Sequence, residues 1–195
     1  MLPQIDQPVR LRFVTPMSNE ELLRFCAENE MARIERDSNG ELIIMSPTGT
    51  DGGGTELDVG SELREWARQD GRGRAYGPNS GFILPDGSLR AADASWVTWS
   101  RMNALTPKQR KGFAHICPEF VIEVRLEGDS LPEAQQKMHM WIANGAELAW
   151  LLDPSRKTVE IYRPGQAMEE QAGHSAAYGE GPVGGFVLEL GRIWG

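Results

Sequence analysis

The sequence is poor in metal-binding side chains. It has two cysteines, Cys26 and Cys117, and three histidines, His115, His139 and His174. They form no CxxC pair and no Cys/His run at metal-ligand spacing, which argues against a zinc site. Both cysteines stand among apolar neighbours, Phe25 and Ala27 in one case, Ile116 and Pro118 in the other. That is the setting of reduced core thiols. No apolar run approaches the ~20 residues a membrane span needs. The first residues lack a basic start followed by an apolar stretch, so no signal peptide is expected and the expected location is the cytoplasm. Basic charge is also in deficit: 20 Lys and Arg against 28 Asp and Glu give a net charge of −8. A broad basic face for nucleic acid is therefore not expected, while a local basic cleft on an acidic body stays open.

The composition that remains is globular. Of 195 residues, 40% are hydrophobic and 25% charged, enough for one domain with its own core. Residues 1–17 look extended. Ser18 with Glu21 makes a capping box at the start of a helix carrying Leu22, Leu23, Phe25 and Cys26. Residues 32–36 and 41–45 read as strands, and Asp37-Ser38-Asn39-Gly40 between them has hairpin chemistry. A second helix is expected from Thr55 to Asp70, with Val59, Leu63, Trp66 and Ala67 at helical spacing and Gly71 as its stop. Strands are expected near 75–76, 81–84, 92–97, 120–124, 148–152, 158–162 and 186–190. A short helix is expected around Lys108 and a longer one over 131–144. Residues 164–182 read as a loop. Helices alternating with strands give an α/β or α+β class, one mixed sheet with helices on its faces.

Three charged residues stand out from their surroundings. Glu123 sits in Phe120-Val121-Ile122-Glu123-Val124, a strand that otherwise reads as core, where a carboxylate is costly unless paired or bound to a metal. The bland alternative is an exposed sheet face, or an edge strand with Glu123 paired to Arg125, which shares its face at a period of two. Asp93 lies among Ala91, Ala92 and Ala94, where a turn or cap aspartate is the plain explanation. Lys137 falls at the margin of the stripe Leu131, Ala134, Met138, Trp141 and Ile142, a place for a snorkelling lysine or for one that dips into a cleft. Together they make a chemical set. Two carboxylates from adjacent strands can hold Mg²⁺ by oxygen. Such a cation activates water and neutralises a phosphate oxygen, and Arg125 or Lys137 can meet the phosphodiester. The segment Thr48-Gly49-Thr50-Asp51-Gly52-Gly53-Gly54 lacks both the P-loop ending and the GxGxxG spacing, and is expected to be a flexible loop over the cleft.

Much of the chain resembles the Uma family, grouped with restriction endonucleases in the PD-(D/E)XK nuclease superfamily. The resemblance is carried by Arg33-Ile34-Glu35-Arg36 with Gly40 to Gly49, by Ser80 to Gly87, and by Asp93-Ala94-Ser95-Trp96-Val97. It continues through Cys117 to Arg125, Lys137-Met138, Asn144-Gly145 and Trp150 to Pro154, and closes with Val159 to Gly165 and Gly185 to Leu188. It implies a single nuclease-like domain over 1–195. A helix and hairpin extension would occupy 1–45, the restriction-endonuclease-like core 46–163, and a C-terminal loop and strand 164–195. It implies that Asp93 and Glu123 bind Mg²⁺ or Mn²⁺, with Asp58 as a third ligand from the preceding helix, and that Arg125 and Lys137 serve catalysis. The implied activity is metal-dependent endonuclease cleavage, with DNA as substrate by resemblance. A homodimer that addresses both strands is a further expectation.

The chain departs from that pattern in places. Ala92 precedes Asp93 where the family usually has Pro, and Asp58 stands where Glu is commoner. Arg125 replaces the superfamily lysine, and a guanidinium cannot act as a base. Leu126-Glu127-Gly128-Asp129 follows where the family has Ser-Pro-Ser-Asp. These departures and the −8 charge leave two alternatives: a nuclease-fold module that no longer cuts and serves interaction or regulation, and a plain structural protein with a buried ion pair. Arg101, Lys108, Arg110 and Lys111, with Arg125 and Lys137, are the candidates for a basic strip, although a run such as Lys108-Gln109-Arg110-Lys111 is more often a solvated face; the non-catalytic module gains if these residues lie away from Asp93 and Glu123.

Overall fold

A computed structural model describes residues 8–195. The chain begins with strand β1 (Val9–Leu11) and helix α1 (Asn19–Glu28), whose N-cap Ser18 and N3 residue Glu21 form the expected capping box. Strands β2 (Arg33–Arg36) and β3 (Leu42–Met45) form the hairpin. Its turn is held by Asp37, whose carboxylate accepts from the Asn39 and Glu41 N–H groups, and by Gly40 at a φ of 86°. Helix α2 (Thr50–Asp70) leads to β4 (Gly73–Tyr76), β5 (Phe82–Ile83), β6 (Leu89–Arg90) and β7 (Ala94–Thr98). Two short helices follow, α3 (Trp99–Ala104) and α4 (Pro107–Lys111), then β8 (Phe120–Val124) and helix α5 (Leu131–Ala143). The chain ends with β9 (Leu148–Asp153), β10 (Thr158–Tyr162), β11 (Glu169–Ala172), β12 (Ala176–Tyr178), β13 (Val187–Glu189) and α6 (Leu190–Ile193).

The central sheet has the order β11-β10-β9-β8-β7-β4. β8 and β9 pair in parallel across the crossover helix α5, and the other neighbours are antiparallel, so the sheet is mixed. β8 and β9 are buried on both faces, which is why they read as continuous apolar runs. One face packs Phe120, Ile122, Trp150 and Leu152 against Val59, Leu63 and Ala67 of α2, residues four apart along one helix stripe. The other packs Val121, Ala149 and Leu151 against Met138 and Trp141 of α5. Fully burying each of these larger side chains contributes roughly 1.5–3 kcal/mol. A second sheet, β1-β3-β2-β6-β5, carries the hairpin.

Several expectations are corrected. The glycine-rich segment is not a loop: α2 begins at Thr50 and runs through Gly52, Gly53 and Gly54. Each glycine costs a helix roughly 1 kcal/mol relative to alanine, but packing requires one of them. A Cβ on Gly52 would lie 2.5 Å from Leu126 Cδ1 and 2.8 Å from Thr48 Cγ2. The region 164–182 contains β11, a polar strand that pairs on β10, and β12, whose buried Ala176 and Ala177 pair on β13. α3 was not expected, because its six residues show too short a period to read. The part of the N-terminal stretch within the described residues includes β1, paired on β3; residues 1–7 lie outside them. No helix among the described residues is long and apolar enough to cross a membrane.

Candidate active site at one end of the central sheet

β7 and β8 are antiparallel, and their last paired residues are Ala94 and Ile122. One step further, Asp93 enters β7 beside the final residues of β8, and its Oδ2 accepts from the Val124 N–H at 2.8 Å. That bond holds Asp93 next to Glu123 without help from any helix. Glu123 points to the α5 face of the sheet. There Lys137 and Trp141, four residues apart and so on one side of the helix, both donate to its Oε1, at 2.9 and 2.8 Å. Lys137 therefore dips from the margin of its stripe into the cleft.

Two further elements close the site. Arg33 and Glu35 are two apart on β2 and share a face. Glu35 meets Lys137 Nζ at 3.3 Å and Arg90 at 2.7 Å, and accepts from the Ala91 N–H at 3.2 Å. Arg33 bridges Asp93 Oδ1, at 3.0 Å, and Glu56 Oε1 of α2, at 3.4 Å, while Thr48 donates to the same Glu56 oxygen. The result is two adjoining ion-pair groups, Arg33 with Asp93 and Glu56, and Arg90 and Lys137 with Glu35 and Glu123: four carboxylates and three cations in all.

Burial is the main influence on Glu123, and its carboxyl is pushed up to about 7; the charges of Asp93 and Glu35 add to this and Lys137 opposes it. Burial works against the Lys137 ammonium, but Glu123, Glu35 and Asp93 outweigh it and hold the group well above the ordinary lysine value. Glu35 is also desolvated, yet Lys137 and Arg90 keep it below the usual glutamate value. Glu56 is raised by burial and by Asp93. Lys137 is thus a fixed cation and Glu123 the group nearest to taking up a proton.

The structure brings Asp93, Glu123 and Lys137 together, and it leaves two expected residues out. Arg125 shares the Glu123 face, but its side chain turns toward β9, away from β7. Its Nε donates to Asp153 at 2.8 Å and its Nη1 to the Asp129 carbonyl at 2.8 Å. Asp153 is 1% exposed, and a buried carboxylate there claims the guanidinium. Asp58 also stands apart from Asp93, Glu123 and Lys137: it is exposed on α2, one residue from the buried Val59 and about 100° around the helix from it. Glu56, three residues before Val59 and seven before Leu63, occupies the inward face in its place. The helix period that turns Val59 and Leu63 inward carried that signal. Glu35 and Arg33 were missed as site residues although the period of two on β2 sets them on one side.

Among the described residues no three His, Cys, Asp or Glu side chains form a cage for a metal ion. The donor set is instead a pair of carboxylates. Glu123 Oε2 has no hydrogen-bond partner among the described residues and is not sealed from solvent, and each Asp93 oxygen accepts a single donor. Mg²⁺ is bound through one or two carboxylates and keeps several waters. The residues fit a hydrated divalent cation rather than a caged one.

The other members of the basic strip lie elsewhere. Arg101 pairs with Glu119 at 3.1 Å, where β7 ends and β8 begins, the opposite end of both strands from Asp93 and Glu123. Lys108, Arg110 and Lys111 are on α4 beyond it, and Lys108 pairs with Glu20.

A mixed sheet covered by α2 and α5, with buried acidic residues at one end and a lysine reaching them from the crossover helix, defines a restriction-endonuclease-like fold. The sequence profile of the Uma2 family, described as "Putative restriction endonuclease", matches residues 19–187. The chain belongs to that family. It is also similar to a crystal structure from Anabaena variabilis described as "a putative nuclease belonging to DUF820". The TM-score is 0.72 over 92% of this chain and 98% of that one, at 21% identity, a likeness that speaks to fold alone. No curated protein matches the chain.

Proposed function

We propose that the protein is a metal-dependent endonuclease that hydrolyses phosphodiester bonds of nucleic acid, with DNA as the substrate. The observation that supports this most is the convergence of Asp93, Glu123 and Lys137 from three separate elements onto one hydrogen-bonded centre. Asp93 and Glu123 would hold Mg²⁺ or Mn²⁺. Bound there, such a cation supplies an acidified water and charge against a phosphate oxygen. Lys137, fixed between Glu35 and Glu123, presents positive charge to the phosphate and does not act as a base, because its neighbours hold it protonated. Arg33 fixes the Asp93 carboxylate from the opposite side. Trp141 orients Glu123 by its indole N–H and keeps water from that flank. Arg125 has no part in the chemistry; it ties β8 to β9.

The test is Mn²⁺ calorimetry on the wild type, Asp93→Asn and Glu123→Gln, followed by cleavage of supercoiled plasmid with each. Metal binding and nicking that both substitutions abolish, with folding intact, support the proposal. A folded wild type that neither binds Mn²⁺ nor nicks DNA refutes it. A second reading, a nuclease-fold module that does not cut, is favoured by the position of Arg101 and α4 at the far end of the sheet and by the −8 net charge.

A further inference from the structure

The far end of the central sheet carries a feature that the acidic centre does not use. α2 ends at Gly71, at a φ of 74°, and the chain turns directly into the edge strand β4. Between the last turns of α2, β4 and the start of α3 lies a groove of about 330 Å³ lined by Arg64, Arg68, Gly73, Arg74 and Trp99. Its floor is bare because Gly73 cannot carry a side chain: a Cβ there would lie 2.5 Å from the Trp96 ring and from the Val97 carbonyl.

Charge and aromatic character coincide here. Arg64 and Arg68 are one helical turn apart on α2 and line one wall of the groove. Arg74, at its rim on β4, turns its guanidinium over the Tyr76 ring, 5.6 Å from the centroid. Among the described residues neither Arg64 nor Arg68 pairs with a carboxylate, whereas most other basic residues of this acidic chain do. Asp70, the acid at the groove's end, is taken by Arg72 at 2.7 Å. Trp99 is 41% exposed, and the other five tryptophans are buried or half-buried. Among the described residues its ring contacts no other aromatic side chain.

We infer that this groove binds a single strand of nucleic acid, with the guanidinium groups of Arg64 and Arg68 on its phosphates and a base stacked on Trp99. Forked guanidinium donors match phosphate oxygens, and an exposed aromatic ring beside a basic groove is how unpaired strands are held without sequence readout. A duplex would offer phosphates but no free base face. α2 joins the groove to the acidic centre: Glu56 and Arg68 are twelve residues apart, about 18 Å along the helix axis. One strand can therefore be anchored at Trp99 while its continuation approaches Asp93. The nature of the occupant rests on the nuclease reading; the groove itself does not.

The test is fluorescence anisotropy of a 5′-fluorescein oligothymidylate 12-mer with the full chain in EDTA, at two salt concentrations. Excluding divalent cations separates binding from cleavage. Trp99→Ala is expected to weaken binding about 10-fold. The Arg64→Ala/Arg68→Ala double variant is expected to lower the slope of log K against log salt by about 1.4, that of two lost single-strand phosphate contacts. Arg68 and Trp99 are exposed and Arg64 is half-buried, so the variants should fold as the wild type does, which circular dichroism checks. A folded wild type that does not bind the 12-mer overturns the proposal, as does binding that neither variant alters. A duplex bound more tightly, with no effect of Trp99→Ala, also overturns it. Groove-dependent binding by a protein that never nicks DNA would leave the groove standing and remove the nuclease reading; nicking with no groove-dependent binding would do the reverse.

Discussion

Lys137→Met tests the electrostatics of the centre. The substitution keeps the length and apolar stem of the side chain and removes the ammonium that sits 2.9 Å from Glu123 and 3.3 Å from Glu35. Both carboxylates are more than nine-tenths buried. Glu35 keeps Arg90 as a partner, but Glu123 is left with the Trp141 N–H alone. Removing one member of a buried pair typically costs about 3–5 kcal/mol. The Lys137 side chain is 25% exposed, so the lower end applies, about 3 kcal/mol. For a chain of this size that is a fall of roughly 6–12 °C in Tm. The pH dependence carries a definite sign. A carboxyl whose folded pKa is raised above its unfolded value, near 4.5 here, contributes stability in its protonated form. That contribution is full below the unfolded value and is lost as pH rises through the folded one. Glu123 already stands at about 7 with the lysine present, and removing Lys137 raises it further. The deficit of the variant relative to wild type should be largest at pH 8 and should shrink toward pH 5. Urea denaturation followed by circular dichroism at the two pH values measures it, and adding Glu123→Gln should restore part of the loss at pH 8. A deficit under about 1 kcal/mol at pH 8, or one equal at both pH values, would refute the assignment of the ammonium as the partner of these carboxylates.

Four further outcomes follow from individual contacts and from burial. Glu56→Gln should reduce Mn²⁺ affinity severalfold in calorimetry, because Arg33 is then free to press harder on Asp93. Asp58→Asn, at an exposed position, should leave affinity unchanged and alter stability by no more than about 0.5 kcal/mol. Arg125→Met should cost about 1–3 kcal/mol in urea melts, because buried Asp153 keeps the Arg156 N–H and the Arg156 guanidinium at 3.9 Å as partners, and should leave Mn²⁺ binding intact. Burial pushes the Cys117 thiol up to about 12, so a thiol-reactive dye at pH 7.5 should label it only when the chain is unfolded, and Cys26 should label first.

The sequence discloses most readily what has a period. β8 and β10 fall at the expected residues, 120–124 and 158–162, because each is a short apolar run with turn chemistry before or after it. Glu123 stood out because it interrupts such a run, and Lys137 because it sits on the margin of one. Gly52 to Gly54 misled for the opposite reason. Local propensity argued for a loop, and a contact with Leu126, 74 residues further on, decided for a helix. Arg125 misled for a related reason. Its face was right, but strand spacing does not say which neighbouring strand a long side chain leans toward, and that was decided by a buried aspartate on β9. Glu35 shows what pattern reading leaves behind. A single glutamate in Arg-Ile-Glu-Arg looks solvated until β6 and α5 are placed over it.

The charge count of the centre shows why residues that would suit a cation also cost the fold. Four carboxylates face three cations, so the centre carries one uncompensated negative charge. In a sealed interior that charge would be removed by protonation, and the rise of Glu123 toward neutral pH is the beginning of that response. A protein needing only to hold β2, β7, β8 and α5 together would gain by replacing Glu123 with an apolar residue, because a buried ion pair seldom outperforms good packing. The centre instead keeps Glu123 ionisable, orients it with an indole N–H, and leaves Oε2 open toward solvent. An open carboxylate oxygen beside Asp93, one positive charge short of neutrality, is what a hydrated divalent cation would complete. Lys137 and that cation would then compete for Glu123. Lys137→Met, while destabilising the fold, should therefore tighten Mn²⁺ binding in calorimetry. A purely structural ion-pair network predicts no Mn²⁺ affinity in either protein.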